Sequence, residues 1–207
     1  MSTPTTRVAF HTMGCKTNFS ETSTISREMM AYGMQQVSFK DTADVYVLNS
    51  CSVTENADKE ARKLIRQARR RNPDATVAVI GCYAQLQPDE IAAIPGVELV
   101  VGAAEKFNLF THLSSLKANR KATVIQSPIE TVQSFKPSFS AAERTRTYLK
   151  IQDGCDYNCS FCTIPLARGR SRSDNIANTV NIAQQIAATE AREIVLTGVN
   201  IGDYGVR

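Results

Sequence analysis

Thr76-Val-Ala-Val-Ile-Gly-Cys82 decides the fold: a short apolar run, then a glycine, then at once a cysteine. A run of this kind, bounded by turn residues, predicts a strand over Thr76–Ile80. The same pattern recurs upstream. Val45-Tyr-Val-Leu-Asn49 predicts a strand followed by Ser50-Cys51, and Arg7 to Thr12 predicts another followed by Gly14-Cys15. Helical patterns separate them, one from Asn18 to Tyr32 ended by Gly33, the other from Asn56 to Arg71 closed by Asn72-Pro73. A short strand near Met34–Phe39, a helical turn from Pro88 and a strand over Val97–Val101 continue the alternation. Strands alternating with helices predict a parallel sheet with right-handed crossovers and helices on both faces.

The expected class is therefore α/β, an open parallel sheet of the Rossmann or flavodoxin kind. In such sheets ligands bind beyond the carboxyl ends of the strands. Cys15, Cys51 and Cys82 each fall just past such an end, which points to three thiols along one edge and a shared metal site. The competing reading is three scattered buried thiols, each more than thirty residues from the next.

Residues Arg120 to Glu143 contain Pro128, Pro137 and several serines with weak periodicity, and read as a linker or irregular crossing segment. The expected organisation is an N-terminal α/β domain over 1–119, a linker over 120–145, and a second β/α series over 146–207. In that series Thr147–Gln152 predicts a strand, Asn175–Thr189 a helix with Ile176, Val180, Ala183 and Ala187 on one side, and Glu193–Thr197 another strand. One β/α unit and a further strand cannot close a barrel. The series therefore reads as truncated, and the chain as part of a longer protein.

Between the first strand and helix of that series lies Asp153-Gly-Cys-Asp-Tyr-Asn-Cys-Ser-Phe-Cys-Thr-Ile-Pro165, a C-x3-C-x2-C run. Cys155, Cys159 and Cys162 can ligate one metal centre from a single loop. A four-iron cubane held by three cysteines keeps one iron open to a small molecule. A structural zinc site normally needs four protein ligands, and this loop has no nearby histidine. His11 and His112 are the only histidines, and neither has a partner at metal or triad spacing. Ser/His/Asp arrangements, phosphate-cradling glycine loops and Walker motifs are absent.

With 207 residues, 43% apolar and 21% charged, the composition is that of a soluble globular protein. No signal peptide and no bilayer-length apolar run is visible, so a cytoplasmic, reducing compartment without membrane association is expected. Thiols there are more often catalytic or metal-binding than paired in disulfides. A net charge of +4 permits a nucleic-acid partner without demanding one. Lys59, Arg62, Lys63, Arg66, Arg69 and Arg70 share one face of a predicted helix, opposite Ala57, Ala61, Leu64, Ile65 and Ala68. That stripe is either a solvated face or a phosphate contact. Arg168, Arg170 and Arg172 either meet an anionic ligand near the cysteine loop or pair with Asp153, Asp156 or Asp174.

Four segments together resemble the radical S-adenosylmethionine methylthiotransferases: His11-Thr-Met-Gly-Cys-Lys-Thr-Asn18, Val47-Leu-Asn-Ser-Cys-Ser-Val-Thr54, Val79-Ile-Gly-Cys-Tyr-Ala-Gln85 and Tyr148 to Gly169. The resemblance implies two 4Fe-4S clusters, an auxiliary one on Cys15, Cys51 and Cys82 and a radical-forming one on Cys155, Cys159 and Cys162. It identifies residues 146–207 as the truncated start of a radical S-adenosylmethionine partial β/α barrel. It also implies S-adenosylmethionine as cofactor, reductive cleavage to a 5′-deoxyadenosyl radical, and an electron donor such as flavodoxin or ferredoxin. Family substrates are an N6-modified adenosine beside a tRNA anticodon or an aspartate on a ribosomal protein. Gly14-Cys15-Lys16 is most similar to members acting on N6-threonylcarbamoyladenosine in the tRNA anticodon loop. N6-isopentenyladenosine, the ribosomal aspartate, and a non-catalytic iron–sulfur or RNA-binding fragment are the alternatives. No catalytic side chain is assigned from the sequence beyond these candidate ligands.

Overall fold

Thr76–Gly81 is a strand buried along nearly its whole length, and its neighbour Val45–Ser50 is buried at every position. A strand covered on both faces needs apolar residues at odd and even positions alike, which is why these runs read as continuous rather than alternating. The structure, a computed structural model, describes residues 5–51, 55–116, 121–140 and 145–206. It forms two compact units, Met1–Gly14 with Ile25–Ser127, and Cys15–Thr24 with Pro128–Arg207.

The first unit contains β1 (Arg7–Thr12), the later part of α1 (Lys16–Ala31), β2 (Gln35–Val37), β3 (Val45–Ser50), α2 (Glu55–Arg71) and β4 (Thr76–Gly81). There follow α3 (Cys82–Leu86), α4 (Pro88–Ala92), β5 (Leu99–Val101), α5 (Leu109–Ser114) and β6 (Thr123–Ile125). The strands make one six-stranded sheet in the order β2-β1-β3-β4-β5-β6, with every pair parallel. Its first five strands follow the flavodoxin-like order, in which the chain reverses direction between β1 and β3. The expected α/β class and parallel sheet are what the structure shows.

Residue parity divides the core between the two faces. Tyr46, Leu48, Val77 and Val79 pack with Ala61, Leu64, Ile65 and Ala68 of α2, whereas Val45, Val47, Ala78 and Ile80 pack with Ile25, Met29 and Leu109. Each fully buried Val, Leu, Ile or Met side chain among these is worth about 1.5–3 kcal/mol of transfer free energy. The i, i+3, i+4, i+7 spacing of the buried α2 residues is the amphipathic pattern expected for that helix; the side chain of Ala57 lies outside the described residues.

The second unit contains β7 (Ser138–Phe139), β8 (Arg146–Lys150), β9 (Gln152–Asp153), α6 (Ile164–Arg168), β10 (Arg172–Ser173), α7 (Ile176–Ala187) and β11 (Glu193–Thr197). β8 pairs parallel with β11 and antiparallel with β7, while β9 and β10 form a separate two-stranded ribbon. Leu149, Ile151, Ile182 and Ile186 are its buried core.

Three expectations change. The predicted linker is not element-free: Thr123–Ile125 joins the first sheet as its edge, and Ser138–Phe139 pairs with β8. Cys82–Leu86 is a helix that the sequence pattern does not reveal. On α7 the inward face is Ile182 and Ile186 with Ala183, whereas Ile176 and Val180 are 72% and 48% exposed. Both stripes satisfy helical periodicity, and packing on Leu149 and Ile151 selects between them.

Candidate functional site

The C-x3-C-x2-C loop is anchored at both ends by short strands. β9 leads into it and β10 follows it, with Asp153 opposite Arg172 and Gln152 opposite Ser173. At its base the Cys155 N–H donates to the Gly169 carbonyl at 3.0 Å, and within it the Cys162 N–H donates to the Cys159 carbonyl at 3.0 Å. Pro165 sits in the first turn of α6, where its missing N–H costs nothing, and gives the loop a firm exit. Gln152 is fully buried and fastens the ribbon further. Its amide donates to the Gly154 carbonyl at 2.8 Å and to Ser171 Oγ at 3.1 Å, and its Oε1 accepts from Asn200 N at 2.8 Å.

All three thiols are free; Cys155 and Cys162 are half-buried and Cys159 is exposed. Among the described residues no three Cys, His, Asp or Glu side chains are gathered at metal-ligand separation. Nonetheless, three thiols on one eight-residue span, with both histidines in the other unit, form an all-sulfur donor set, which suits iron–sulfur chemistry. Beside the loop is a cleft of about 260 Å³ lined by residues including Cys155, Asp156, Asn158, Leu166 and Arg170. Phe161 is 88% exposed at the tip, so its ring face is open to a planar ligand.

In the first unit, Cys51 follows the last residue of β3 and Cys82 follows the last residue of β4. These strands are adjacent and parallel, and Ser50 Oγ donates to the Ile80 carbonyl at 2.6 Å, tying their ends together. Cys51 is half-buried, and Cys82 is a buried residue opening α3. Gln85 of that helix is buried and accepts from Ala103 N at 2.9 Å, fixing α3 against the turn after β5. Cys15, which belongs to the second unit, is exposed three residues after β1 in the chain, and its carbonyl accepts from Phe19 N at 3.1 Å to start α1.

Behind the cysteine loop the second unit buries a network of charges. Arg168 forks onto Glu21, with Nη1 to Oε1 and Nη2 to Oε2 both at 3.2 Å, and reaches Asp153 Oδ1 at 2.8 Å and the Asn18 side chain. Lys150 Nζ donates to Glu21 Oε1 at 2.9 Å and approaches Asp153 Oδ2 at 3.4 Å, and Arg172 reaches the same Oδ2 at 3.2 Å. Burial alone would push the Asp153 carboxyl up, but Arg168, then Lys150, carry it far below its ordinary range. Arg168 and Arg172 therefore take the ion-pair reading with Asp153, not the ligand reading. Arg170 is exposed and lies 3.5 Å from Asp156, and Asp174 binds Asn178 instead. The roles of Glu21 and Lys150 do not emerge from sequence reasoning, although a lysine within the apolar strand Tyr148-Leu-Lys-Ile151 is the available signal.

The basic stripe on α2 is divided. Arg62 pairs with Glu90, and Arg69 pairs with Glu98 at 3.1 Å and the Ala75 carbonyl at 3.0 Å. Lys59, Lys63, Arg66 and Arg70 are exposed, with no ion pair among the described residues. His11 is half-buried against Phe39 at 5.2 Å, where burial lowers its pKa, consistent with a structural role.

Comparison with known proteins gives these cysteines a context. The family described as "Uncharacterized protein family UPF0004" matches residues 7–102, the span of the first three cysteines. A threonylcarbamoyladenosine tRNA methylthiotransferase of Bacillus subtilis is 43% identical over 96% of this chain and 44% of its own length. Over nearly its whole length the chain is similar to methylthiotransferases. Other methylthiotransferases are further away: the ribosomal protein uS12 methylthiotransferase of Chloroflexus aurantiacus is 31% identical over 94% of the chain and 46% of its own length. The tRNA-2-methylthio-N(6)-dimethylallyladenosine synthase of Chloroherpeton thalassium is 29% identical over 96% and 45% respectively. The chain spans about half the length of the curated relatives it matches.

Proposed function

We propose that this chain carries the ligands of two 4Fe-4S clusters, Cys15, Cys51 and Cys82 for one and Cys155, Cys159 and Cys162 for the other. The protein containing it would methylthiolate N6-threonylcarbamoyladenosine in tRNA. The observation that carries this reading is the thiol arrangement: three cysteines that each follow, in the chain, one of three adjacent parallel strands, then three more on a single loop. The 43% identity to a relative named for threonylcarbamoyladenosine, against 31% and 29% for relatives named for other substrates, supports the choice of nucleoside. Residues 146–207 would be the start of a radical S-adenosylmethionine core.

When bound, a cluster with S-adenosylmethionine supplies the one-electron chemistry that makes an unreactive C–H bond reactive. The chain's own contribution is positional. Gln152 and the β9–β10 ribbon hold the loop, the cleft beside Cys155 has room for part of a small-molecule cofactor, and Arg170 offers an exposed cation at its rim. An external electron donor of the flavodoxin or ferredoxin class would be required. No helix among the described residues is long and apolar enough to cross a membrane.

Anaerobic reconstitution of the whole protein tests this reading. About eight irons per chain are expected from two cubanes, with 5′-deoxyadenosine formed on adding dithionite and S-adenosylmethionine. In a strain lacking the gene, tRNA nucleosides should lose methylthio-threonylcarbamoyladenosine. Loss of the methylthio-isopentenyl form instead would move the substrate, and zinc without labile sulfide would overturn the cluster reading.

The free part of the α2 stripe makes a separate prediction. Lys59, Lys63, Arg66 and Arg70 are spaced i, i+4, i+7 and i+11, a line about 16 Å long on one helix face. Replacing all four by alanine, with Arg62 and Arg69 kept for their ion pairs, should weaken binding of a tRNA anticodon stem-loop. The slope of log affinity against log salt should flatten by about 0.7–0.9 for each phosphate the helix no longer neutralises. An unchanged slope would assign the stripe to solvent.

A further inference from the structure

Among the described residues, the charged side chains of the network behind the cysteine loop lie on segments next to proposed cluster ligands. Glu21 lies on α1, which begins one residue after Cys15. Lys150 and Asp153 lie on the strands entering the loop of Cys155, Cys159 and Cys162, and Arg168 and Arg172 lie on its exit. All five belong to the same compact unit. Glu21, Lys150 and Arg168 are at most 3% exposed, so these charges are almost wholly removed from water.

Burying ions is an inefficient way to gain stability, because desolvation offsets most of the attraction and apolar side chains of the same volume often do better. What an ionic network offers in exchange is geometry. A guanidinium fork on a carboxylate fixes distance and orientation together, whereas an apolar contact tolerates sliding. Here the fork from Arg168 meets both oxygens of Glu21 and the Asn18 side chain, while its Nη1 also reaches Asp153. Arg172 in turn donates to the Arg168 and Arg170 carbonyls at 2.6 and 2.9 Å, so the exit strand is held to the same point. Lys16 Nζ lies over the Tyr148 ring at 5.6 Å and the Phe19 ring meets it edge-on at 6.0 Å, adding a cation–π and an aromatic contact between the same two segments.

We propose that the buried Glu21–Arg168 pair is a positioning device that fixes the turn carrying Cys15 in register with the loop carrying Cys155, Cys159 and Cys162. The inference rests on the two-cluster reading above. Its function would be to hold Cys15, one ligand of the proposed sulfur-supplying site, at a set distance from the loop that generates the reactive species, both within the second unit. Glu21 and Arg168 are buried and act through the segments they join, as positioning residues.

The test uses two charge-preserving variants of the whole protein, Glu21→Asp, which shortens the reach, and Arg168→Lys, which removes the fork. Both should still bind about eight irons per chain and make 5′-deoxyadenosine within about twofold of wild type. Methylthiolated nucleoside formed per 5′-deoxyadenosine should fall at least tenfold, and the magnetic coupling between the two reduced clusters in electron paramagnetic resonance should change. An unchanged ratio and coupling in both variants would overturn the proposal. Amide exchange on the metal-free protein separates this failure from failure of the two-cluster reading. Residues 16–24 and 146–153 should open together in wild type and at different rates in Glu21→Asp. Independent opening in wild type refutes the positioning role whatever the clusters do, and joint opening without iron loading refutes only the two-cluster reading.

Discussion

Replacing Arg168 with leucine is expected to destabilise the second unit by about 3–5 kcal/mol, the usual result of removing one partner from a buried ion network. Arg168 supplies hydrogen bonds to Glu21, Asp153 and Asn18, and Glu21 is entirely buried. In Arg168→Leu, Lys150 remains at 2.9 Å from Glu21 Oε1 while Oε2 loses the guanidinium that faced it. Asp153 keeps Arg172 and its own backbone contact from Gly154 N, at 3.2 and 2.9 Å. Partial compensation places the cost in the stated range, not above it. The chain has no tryptophan and two units, so a single unfolding midpoint is a poor measure. Amide exchange in β8 and the start of α1 is the better one, with protection falling about a hundredfold to several thousandfold at 1.4 kcal/mol per tenfold. Strands β3 and β4 serve as the internal reference. A change below about threefold would mean the network is solvated in solution.

The first unit is largely legible in the sequence because its strands are buried on both faces. Val45–Ser50 and Thr76–Gly81 have no alternative as continuous apolar runs between turn residues, and each ends directly before a cysteine that its position singles out. Elements whose stability comes from neighbours are not legible. Thr123–Ile125 is three residues long and is a strand because β5 presents an open edge to it. Cys82–Leu86 is too short to show a helical period, and its helical form depends on tertiary bonds through Gln85. On α7 two apolar stripes are equally compatible with a 3.6-residue period, and only the position of Leu149 and Ile151 distinguishes them.

Type and spacing single the cysteines out as candidate ligands, but the support behind the loop is not legible. A buried glutamate looks like a surface residue in sequence unless its partners are known, and Glu21 finds them 129 and 147 residues away. Arginine pairing is equally ambiguous. Asp153, Asp156 and Asp174 are all within reach of Arg168, Arg170 and Arg172, and the two-residue ribbon decides among them by placing Asp153 opposite Arg172.

That ribbon also sets the second large expected effect. Gly154 has φ +72°, and a Cβ there would lie 2.6 Å from the Arg170 carbonyl carbon and 2.7 Å from the Gly169 carbonyl oxygen. Both are backbone atoms, so no side chain can swing aside, and the exit strand itself must move. In Gly154→Ala the strain of a left-handed conformation costs about 1–2 kcal/mol. Relief of the overlap must come from separating β9 from β10, which breaks the Cys155 N–H to Gly169 carbonyl bond at 3.0 Å. A further cost of about 1–3 kcal/mol is expected for the buried group left unpaired. The loop should therefore open while the first unit stays intact: exchange at Cys155 and Arg172 should accelerate at least a hundredfold, with β3 and β4 unchanged. On the two-cluster proposal, iron loading should drop to about half, since the loop's thiols lose their arrangement. Gly205→Ala is the control, because it has φ +77° with nothing within 4 Å of the added carbon. It carries the conformational strain without the collision. Should the two variants lose the same protection, the close approach of Arg170 to Gly154 would not be what holds the cysteine loop.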